Sequence, residues 1–504
     1  MAKQKLLTKS RFVNGRQCSK WLWLNFNRPE ELPQFSHQAQ HLFNEGNKVG
    51  EFAKSLFPDG MAVKEQLDYH ANDKESRELL NKRKPLFEAG FIHKKGNCYA
   101  RADILVPVNK DEWDIYEVKG ATEVKEEYYW DIAFQKYCYE SAGLKIRKCF
   151  VLHINNEYVK KGNIEPKEFF VVAPVDDEIV EEMENVESNV KKLLEIIALK
   201  ECPEFKNGED CHEDDFNVHH NDKFWKDNPH CDILDLYWGG KSAIDMFNAG
   251  ILSIKDMSEE HFTTRPQKKQ QKIQHKTHTT GEWHHDKKEL SAFIKSLKYP
   301  LYFMDFESYQ TAIPLYDNSK PYQHLPFQFS VHVIEKQGDK SKHYSFIASG
   351  IEDPRPAFAR ELRKVLGDLG TVLVYYQTFE KSRLKELAEF FPENAEWVEI
   401  VLKRMLDLYD PFKNFAYYHP SQKGSASLKK VLPALTGKGY EGMDISDGTQ
   451  ASLQYLFVTH GSYEGKKATP QEAKKILADL EEYCGQDTEG MVWILDKLNN
   501  LINK

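Results

Sequence analysis

The chain has 504 residues, 40% of them hydrophobic and 29% charged, with a formal net charge of −9. That length exceeds a single hydrophobic core and predicts about three domains, and the acidic balance excludes a body that coats nucleic acid over its whole surface, though not a local basic groove. No apolar run reaches membrane-spanning length and the opening MAKQKLLTKSRFVNGRQC lacks a secretory apolar stretch, so a cytoplasmic location without a membrane partner is expected.

Residues 1–200 are predicted to form a first α/β unit. Its helical stretch HLFNEGNKVGEFAKSLF precedes the strand-like runs YARADILV and WDIYEVKG, whose β-branched and apolar residues are bounded by polar ones. A helix, WDIAFQKYCYESAGL, two more strands, KCFVLHI and EFFVVAPV, and the amphipathic stretch DDEIVEEMENVESNVKKLLEIIAL complete the unit. Residues 201–262 hold a polar segment rich in Cys, His and Asp, then a small helical segment. Residues 263–286 are basic and poor in apolar side chains, which predicts a solvated linker or arm whose lysines could touch phosphate. A second α/β unit, 287–504, opens on the strand LYFMDFES and closes on the helix AKKILADLEEYCGQDTEGMVWILDKL.

Within the first unit, period-2 alternation points Glu117 and Lys119 to one face of their strand. Glu117 follows Asp103 by 14 positions, about the spacing of two paired strands and their turn. Two carboxylates and an amine at one sheet edge suit a hard divalent cation beside a phosphate, because carboxylate oxygens bind Mg²⁺ or Mn²⁺ and the lysine stabilises charge on the attacked group. The chemistry expected is metal-assisted phosphodiester cleavage.

Gln135 and Tyr139 share a face of the next helix, and Glu45 and Glu51 lie on the helix upstream, where either could reach the sheet edge. The ordered set Asp103, Glu117, Lys119, Gln135 and Tyr139 resembles the RecB-like branch of the PD-(D/E)XK nucleases. The resemblance implies metal ligation by Asp103, Glu117 and the carbonyl of Val118, with Lys119 orienting or activating water. Gln135 and Tyr139 would contact DNA or brace the site. The family's upstream helix often carries a His-Glu pair; here Gly50 and Glu51 stand at that place, so the histidine is missing.

Many members of that branch also hold an iron–sulfur cluster with one early and three later cysteines. Cys18 stands early and Cys211 late, but the compact late triplet is absent; Cys202, Cys231, His212, His219 and His220 are the other nearby donors. Four thiolates suit a cluster and mixed Cys/His suits Zn²⁺. A metal-free segment is the first expectation, zinc the second and a cluster the last. Cys98, Cys138, Cys149 and Cys484 are expected to be buried small side chains.

In the second unit, Asp305 and Glu307 lie two apart on an apolar strand, and Tyr483 and Asp487 lie at i and i+4 on the closing helix. Between them, TVLVYYQTFEKSRLKEL passes from strand to helix with Glu380 at the entry. This trio of motifs resembles the DEDD exonucleases of the RNase H-like (DnaQ-type) fold in their tyrosine variant. By that resemblance Asp305, Glu307 and Asp487 would ligate two Mg²⁺ or Mn²⁺ ions and Tyr483 would position the attacking water. The middle motif departs, since Gln377 and Glu380 replace Asn and Asp; Glu380 is then a longer metal ligand and Asp407 a substitute candidate. The stretch NFAYYHPSQKGSASLKKVLP interleaves aromatic and basic residues, as a single-strand contact would, or an ordinary loop.

The tandem arrangement resembles a bacterial family of predicted RecB-like nucleases with a C-terminal RNase H-like domain. The expected fold class is therefore α/β, with an N-terminal PD-(D/E)XK restriction-endonuclease-like domain and a C-terminal RNase H-like domain. The expected function is a Mg²⁺- or Mn²⁺-dependent deoxyribonuclease acting on single strands or duplex ends, in DNA repair or anti-phage defence. An RNA-directed exonuclease, a nucleic-acid-binding scaffold with decayed sites, and one nuclease within a larger defence or repair complex whose activity needs a partner protein stay open as alternatives.

Overall fold

The computed structural model describes residues 6–32, 37–65, 67–203, 231–461 and 466–503. It is a mixed α/β protein of two units, Met1–Lys226 with Thr311–Tyr322, and Asp227–Gln310 with Gln323–Lys504.

The first unit is built on seven strands, β1 (Leu7–Thr8), β2 (Met61–Ala62), β3 (Leu86–Ile92), β4 (Cys98–Pro107), β5 (Glu112–Lys119), β6 (Lys145–Ile154) and β7 (Phe170–Pro174). They pair in the order β2-β3-β4-β5-β6-β7, with β1 also on β4. Apolar residues cover both faces. On one, Ile115 and Val151 of the sheet share a core with Leu22 of the helix Ser19–Asn27, Phe134 of the helix Glu126–Ser141 and Val186 of the helix Val180–Ile197. On the other, Ile104 and Leu152 of the sheet share a core with Val49 of the helix His37–Ala53, Phe169 of the helix Pro166–Phe169 and Ala312 of the 311–322 segment. The β4–β5 register is antiparallel and ends with Ile104 opposite Tyr116, one residue short of Asp103 and Glu117.

The second unit contains β8 (His284–His285), β9 (Leu301–Tyr309), β10 (Leu325–Ile334), β11 (Lys342–Ile347), β12 (Thr371–Val374), β13 (Met405–Asp407) and β14 (Tyr417–Tyr418). Five form a sheet in the order β11-β10-β9-β12-β13, and β14 pairs with β8. β9 is central, antiparallel to β10 and parallel to β12, and Asp305 is its most accessible position. The 34-residue helix Pro470–Asn503 is set against this sheet by polar pins. Gln328 Nε2 donates to Leu480 O at 2.7 Å, and Thr488 Oγ1 meets Ser330 Oγ at 2.7 Å and His332 Nδ1 at 2.8 Å.

The linker expected at 263–286 is instead part of the second unit. Lys268–Thr280 is a helix whose buried face is Gln271, Gln274 and Thr277. Gln274 accepts from Tyr237 N at 2.8 Å and donates to Asp235 O at 2.9 Å, while Gln271 donates to Tyr237 O at 3.0 Å. Amides satisfying backbone groups replace an apolar stripe here, so a hydropathy reading misses the packed face. The small helical segment before it holds Gly240–Asn248 and three short 3₁₀ turns. Among the described residues, no helix is long and apolar enough to cross a membrane.

Candidate functional site

In the first unit, β4 and β5 bring Asp103 and Glu117 together, and Val118 N donates to Asp103 Oδ2 at 2.7 Å. Glu117 is only 2% exposed. Its Oε1 accepts from Lys9 Nζ at 2.7 Å and Lys119 Nζ at 2.8 Å, and its Oε2 from Gln135 Nε2 at 2.8 Å. Asp131, one helical turn before Gln135, accepts from Lys119 Nζ at 2.6 Å and from Gln135 Nε2 at 3.0 Å. Burial pushes Glu117 up, but Lys119 and Lys9 outweigh it and hold the carboxyl well below its usual range. Burial and the neighbouring Glu117 carboxylate push Asp103 up to about 7. Three carboxylates are thus offset by two ammonium groups.

Tyr139 braces this site and is fully buried, which removes the DNA contact offered as its other role. The β3–β4 ladder skips the Glu88/Asp103 pair, and Glu88 takes φ +59°. The Tyr139 hydroxyl fills the gap, accepting from Ala102 N at 2.6 Å and donating to Ala89 O. Gln135 is likewise buried and holds Glu117 rather than reaching outward.

Glu51, expected to support the site, turns to solvent with a side chain 73% exposed and pairs with Lys54. Its helix faces the unit with Glu45 instead, which is buried and accepts from Ala312 N at 2.7 Å and Lys48 Nζ at 3.0 Å.

In the second unit, the closing helix delivers Asp487 beside β9, so that ligand oxygens of Asp305, Glu307 and Asp487 lie within 4.8 Å of one another. This is the one group of three or more Cys, His, Asp or Glu with metal-ligand proximity among the described residues. Burial, reinforced by the neighbouring carboxylates, pushes Asp305 and Glu307 well above their ordinary values, and burial pushes Asp487 up to about 6. The Tyr440 hydroxyl donates to Asp487 Oδ1, and Tyr483 also bonds Asp487. Cys484 Sγ lies 3.5 Å from Asp305 Oδ2. Lys429 Nζ stands 5.5 Å from the centre of the Tyr483 ring and 5.9 Å from that of Tyr440.

Glu380 falls outside the trio. It is 2% exposed, its Oε2 has no hydrogen-bond partner, and burial with the Asp305 carboxylate raises it well above the usual range. Asp407, the substitute candidate, is spent on the backbone: it accepts from Tyr376 N at 2.8 Å, Gln377 N at 2.9 Å and Tyr409 N at 3.0 Å. Four buried or half-buried carboxylates thus face Lys429, with the Arg383 guanidinium acting on Glu380, a larger negative excess than at the first site. An all-oxygen donor set with that excess negative charge fits hard divalent cations.

The sequence reading missed Lys9, Asp131, Lys429 and Tyr440. Asp131 was detectable, four positions before Gln135 on the same helix face; the other three arrive from distant elements. Cys98, Cys138, Cys149 and Cys484 are buried, as expected. Cys202 packs against the Cys18, Trp23 and Leu24 cluster, and Cys231 is buried in the second unit. Cys211, His212, His219 and His220 lie outside the described residues.

Residues 302–427, which include Asp305, Glu307 and Glu380, match a family described as a domain of unknown function, DUF2779. The chain is 26% identical over 227 residues to uncharacterized protein MG366 of Mycoplasma genitalium, covering 41% of this chain and 33% of that relative. It is 27% identical over 243 residues to uncharacterized protein UU173 of Ureaplasma parvum, covering 43% and 33%. The chain therefore spans about a third of the length of the curated relatives it matches.

Proposed function

We propose that the protein is a divalent-metal-dependent nuclease acting in the cytoplasm, with the acidic trio Asp305, Glu307 and Asp487 as its principal hydrolytic site. On this reading the first unit is a PD-(D/E)XK nuclease domain and the second an RNase H-like exonuclease domain. The observation that carries it is the convergence of three carboxylates, Glu307 and Asp487 buried and Asp305 half-buried, whose ligand oxygens lie within 4.8 Å of one another and are under-compensated by cationic side chains. Such a cluster is costly unless cations neutralise it.

Asp305, Glu307 and Asp487 would hold Mg²⁺ or Mn²⁺, with Glu380 close enough to respond to their charge. Bound ions would polarise phosphate oxygens and make water a better nucleophile. Tyr483, anchored on Asp487, orients the attacking water, and Lys429 faces the charge of the scissile phosphate. In the first unit, Asp103, Glu117 and the Val118 carbonyl would form a second metal site served by Lys119. DNA is the substrate proposed, in repair or in defence against foreign DNA, with RNA as the competing polymer.

A second reading concerns the first unit alone: it binds nucleic acid without cutting it. The engagement of both Glu117 oxygens by Lys9, Lys119 and Gln135 favours this. The test is digestion of end-labelled DNA with Mg²⁺ or Mn²⁺ by wild type, Lys119→Ala and Asp305→Ala. Loss in Asp305→Ala alone supports a single cutting site in the second unit; loss in both supports two. Unchanged digestion in both removes the assignment.

A further inference from the structure

A cleft of about 680 Å³ opens beside the acidic trio, with Asp305 and Asp487 in its lining. Its other walls come from the short 231–238 segment, the end of β12 and the loop before the helix Leu428–Thr436. The cleft is rich in aromatic side chains, and two of them are turned to solvent: Trp238 is 69% exposed and Tyr376 58%. Exposed rings this large carry a solvation cost that folding alone does not recover.

The backbone is strained at the same places. Trp238, Tyr376 and Lys423, all lining this cleft, adopt left-handed φ values of +50°, +69° and +51°. Bulky L-residues avoid that region, and where it is held it marks sites whose side chains must be aimed. At Tyr376 the restraint is visible, because Asp407 grips the amides of Tyr376 and Gln377. The ring is then set nearly perpendicular to Tyr409, with centroids 5.5 Å apart at 87°. At Lys423 the loop is pressed onto the opposite wall: a Cβ on the neighbouring Gly424 would meet Asp235 O at 2.0 Å. The two walls are therefore fixed relative to each other, and the rings are presented on a preformed surface.

Aromatic faces stack on any base that is not already stacked in a duplex, and ammonium groups on the same surface serve the phosphates. We propose that this cleft seats the unpaired end of a nucleic-acid strand, with Trp238 and Tyr376 stacking on its bases and Lys423 and Lys429 facing its phosphates, so that the terminal linkage lies at Asp305 and Asp487. The inference deepens the nuclease reading and rests on it for the position of the reacting phosphate, but the binding surface stands on its own geometry. Stacking recognises a base's π-face rather than its hydrogen-bonding edge, so the cleft is sequence-neutral and takes unpaired strands in preference to blunt duplex.

The test uses the full chain and fluorescein-labelled oligo-dT, oligo-rU and a blunt duplex, each about 12 nucleotides long to cover a typical single-strand site. Anisotropy in EDTA reads binding, and product length with Mg²⁺ reads cutting. Trp238→Ala and Tyr376→Ala should each weaken oligonucleotide binding roughly 5- to 150-fold, the range for losing one base-stacking ring, while Trp238→Phe and Tyr376→Phe retain most of it. In digestion the loss should fall on KM rather than kcat. The oligo-dT and oligo-rU arms assign the polymer. Equal binding by the alanine variants, or tighter binding of the duplex, overturns the cleft even if wild type digests DNA. Aromatic-dependent binding without digestion keeps the cleft and removes the nuclease reading. Neither binding nor digestion removes both.

Discussion

Lys9 Nζ lies 2.7 Å from Glu117 Oε1, the same oxygen that Lys119 Nζ reaches at 2.8 Å. One carboxylate oxygen thus serves two ammonium groups, and the first pocket carries its own tethered cation where a metal-binding carboxylate is expected. A unit charge about 4 Å away is worth roughly 1–4 kcal/mol between water-like and surface-like screening, enough to compete with a weakly held ion. Lys9→Met should therefore strengthen Mn²⁺ binding at this pocket at least several-fold, read by titration of the free Mn²⁺ electron paramagnetic resonance signal. The titration is done in an Asp305→Asn background so that the second pocket does not dominate. An unchanged or weaker affinity would show that Lys9 supports the pocket rather than filling it.

The second pocket predicts a pH-dependent response to metal. Burial holds the Asp487 carboxyl up at about 6 in the folded chain, against about 3.9 when unfolded. Between those values the folded state keeps a proton that the unfolded state has released, so the apo protein loses stability as pH rises through that window. Asp305, Glu307 and Glu380 are raised in the same sense, and Asp103, up at about 7, adds to it. Divalent cations remove the penalty, so the rise in Tm on adding Mg²⁺ should be larger near pH 8 than near pH 5. Asp305→Asn should raise the Tm of the EDTA-treated protein at the higher pH and shrink the Mg²⁺ response. Equal Mg²⁺ shifts at the two pH values would contradict the uncompensated-charge account.

Tyr139 tests whether the helix behind the first pocket is structural. Its hydroxyl bridges Ala102 N and Ala89 O across the point where β3 and β4 lose a ladder pair beside Asp103. Tyr139→Phe keeps the ring and leaves a buried donor and acceptor unpaired, which costs on the order of 1–3 kcal/mol. Urea unfolding should show that loss, while nucleic-acid affinity, measured on the folded protein, stays within about twofold. A selective loss of binding with unchanged stability would restore a contact role.

How legible these features were from the sequence depended on what held each in place. Asp103 and Glu117 were readable because a short turn and period-2 strands fix their register locally. Asp305, Glu307 and Asp487 were readable as motifs on a strand and a helix, although Asp487 reaches β9 only through packing set by Gln328, Ser330 and Thr488. The helix Lys268–Thr280 was not readable, since its buried face is glutamine and threonine and its sequence carries the charge of a linker. Lys9 and Tyr440 were invisible for another reason: neither belongs to a periodic pattern, and each meets its carboxylate through tertiary folding alone. Glu51 was misplaced because two glutamates share its helix, and the inward face carries Glu45.

Asp407 separates a metal ligand from a scaffold. A carboxylate at a strand end, in a chain expected to bind metal through acidic residues, invites the first role. Its oxygens instead accept from three backbone amides, at 2.8, 2.9 and 3.0 Å, and two of those donors flank the left-handed turn at Tyr376. Replacing it by alanine leaves those amides without their charged acceptor and releases the strain stored at Tyr376, whose ring then loses its fixed direction. Hydrogen bonds to a charged group contribute roughly 1.5–3 kcal/mol each and Asp407 is buried, so a net cost of at least about 3 kcal/mol is expected in urea unfolding. Asp407→Asn should recover part of that stability, because its side-chain oxygen still accepts one amide. Mn²⁺ stoichiometry should match wild type in both variants, whereas Asp305→Asn loses a site. A drop in stoichiometry with stability intact would make Asp407 a ligand and return it to the acidic cluster.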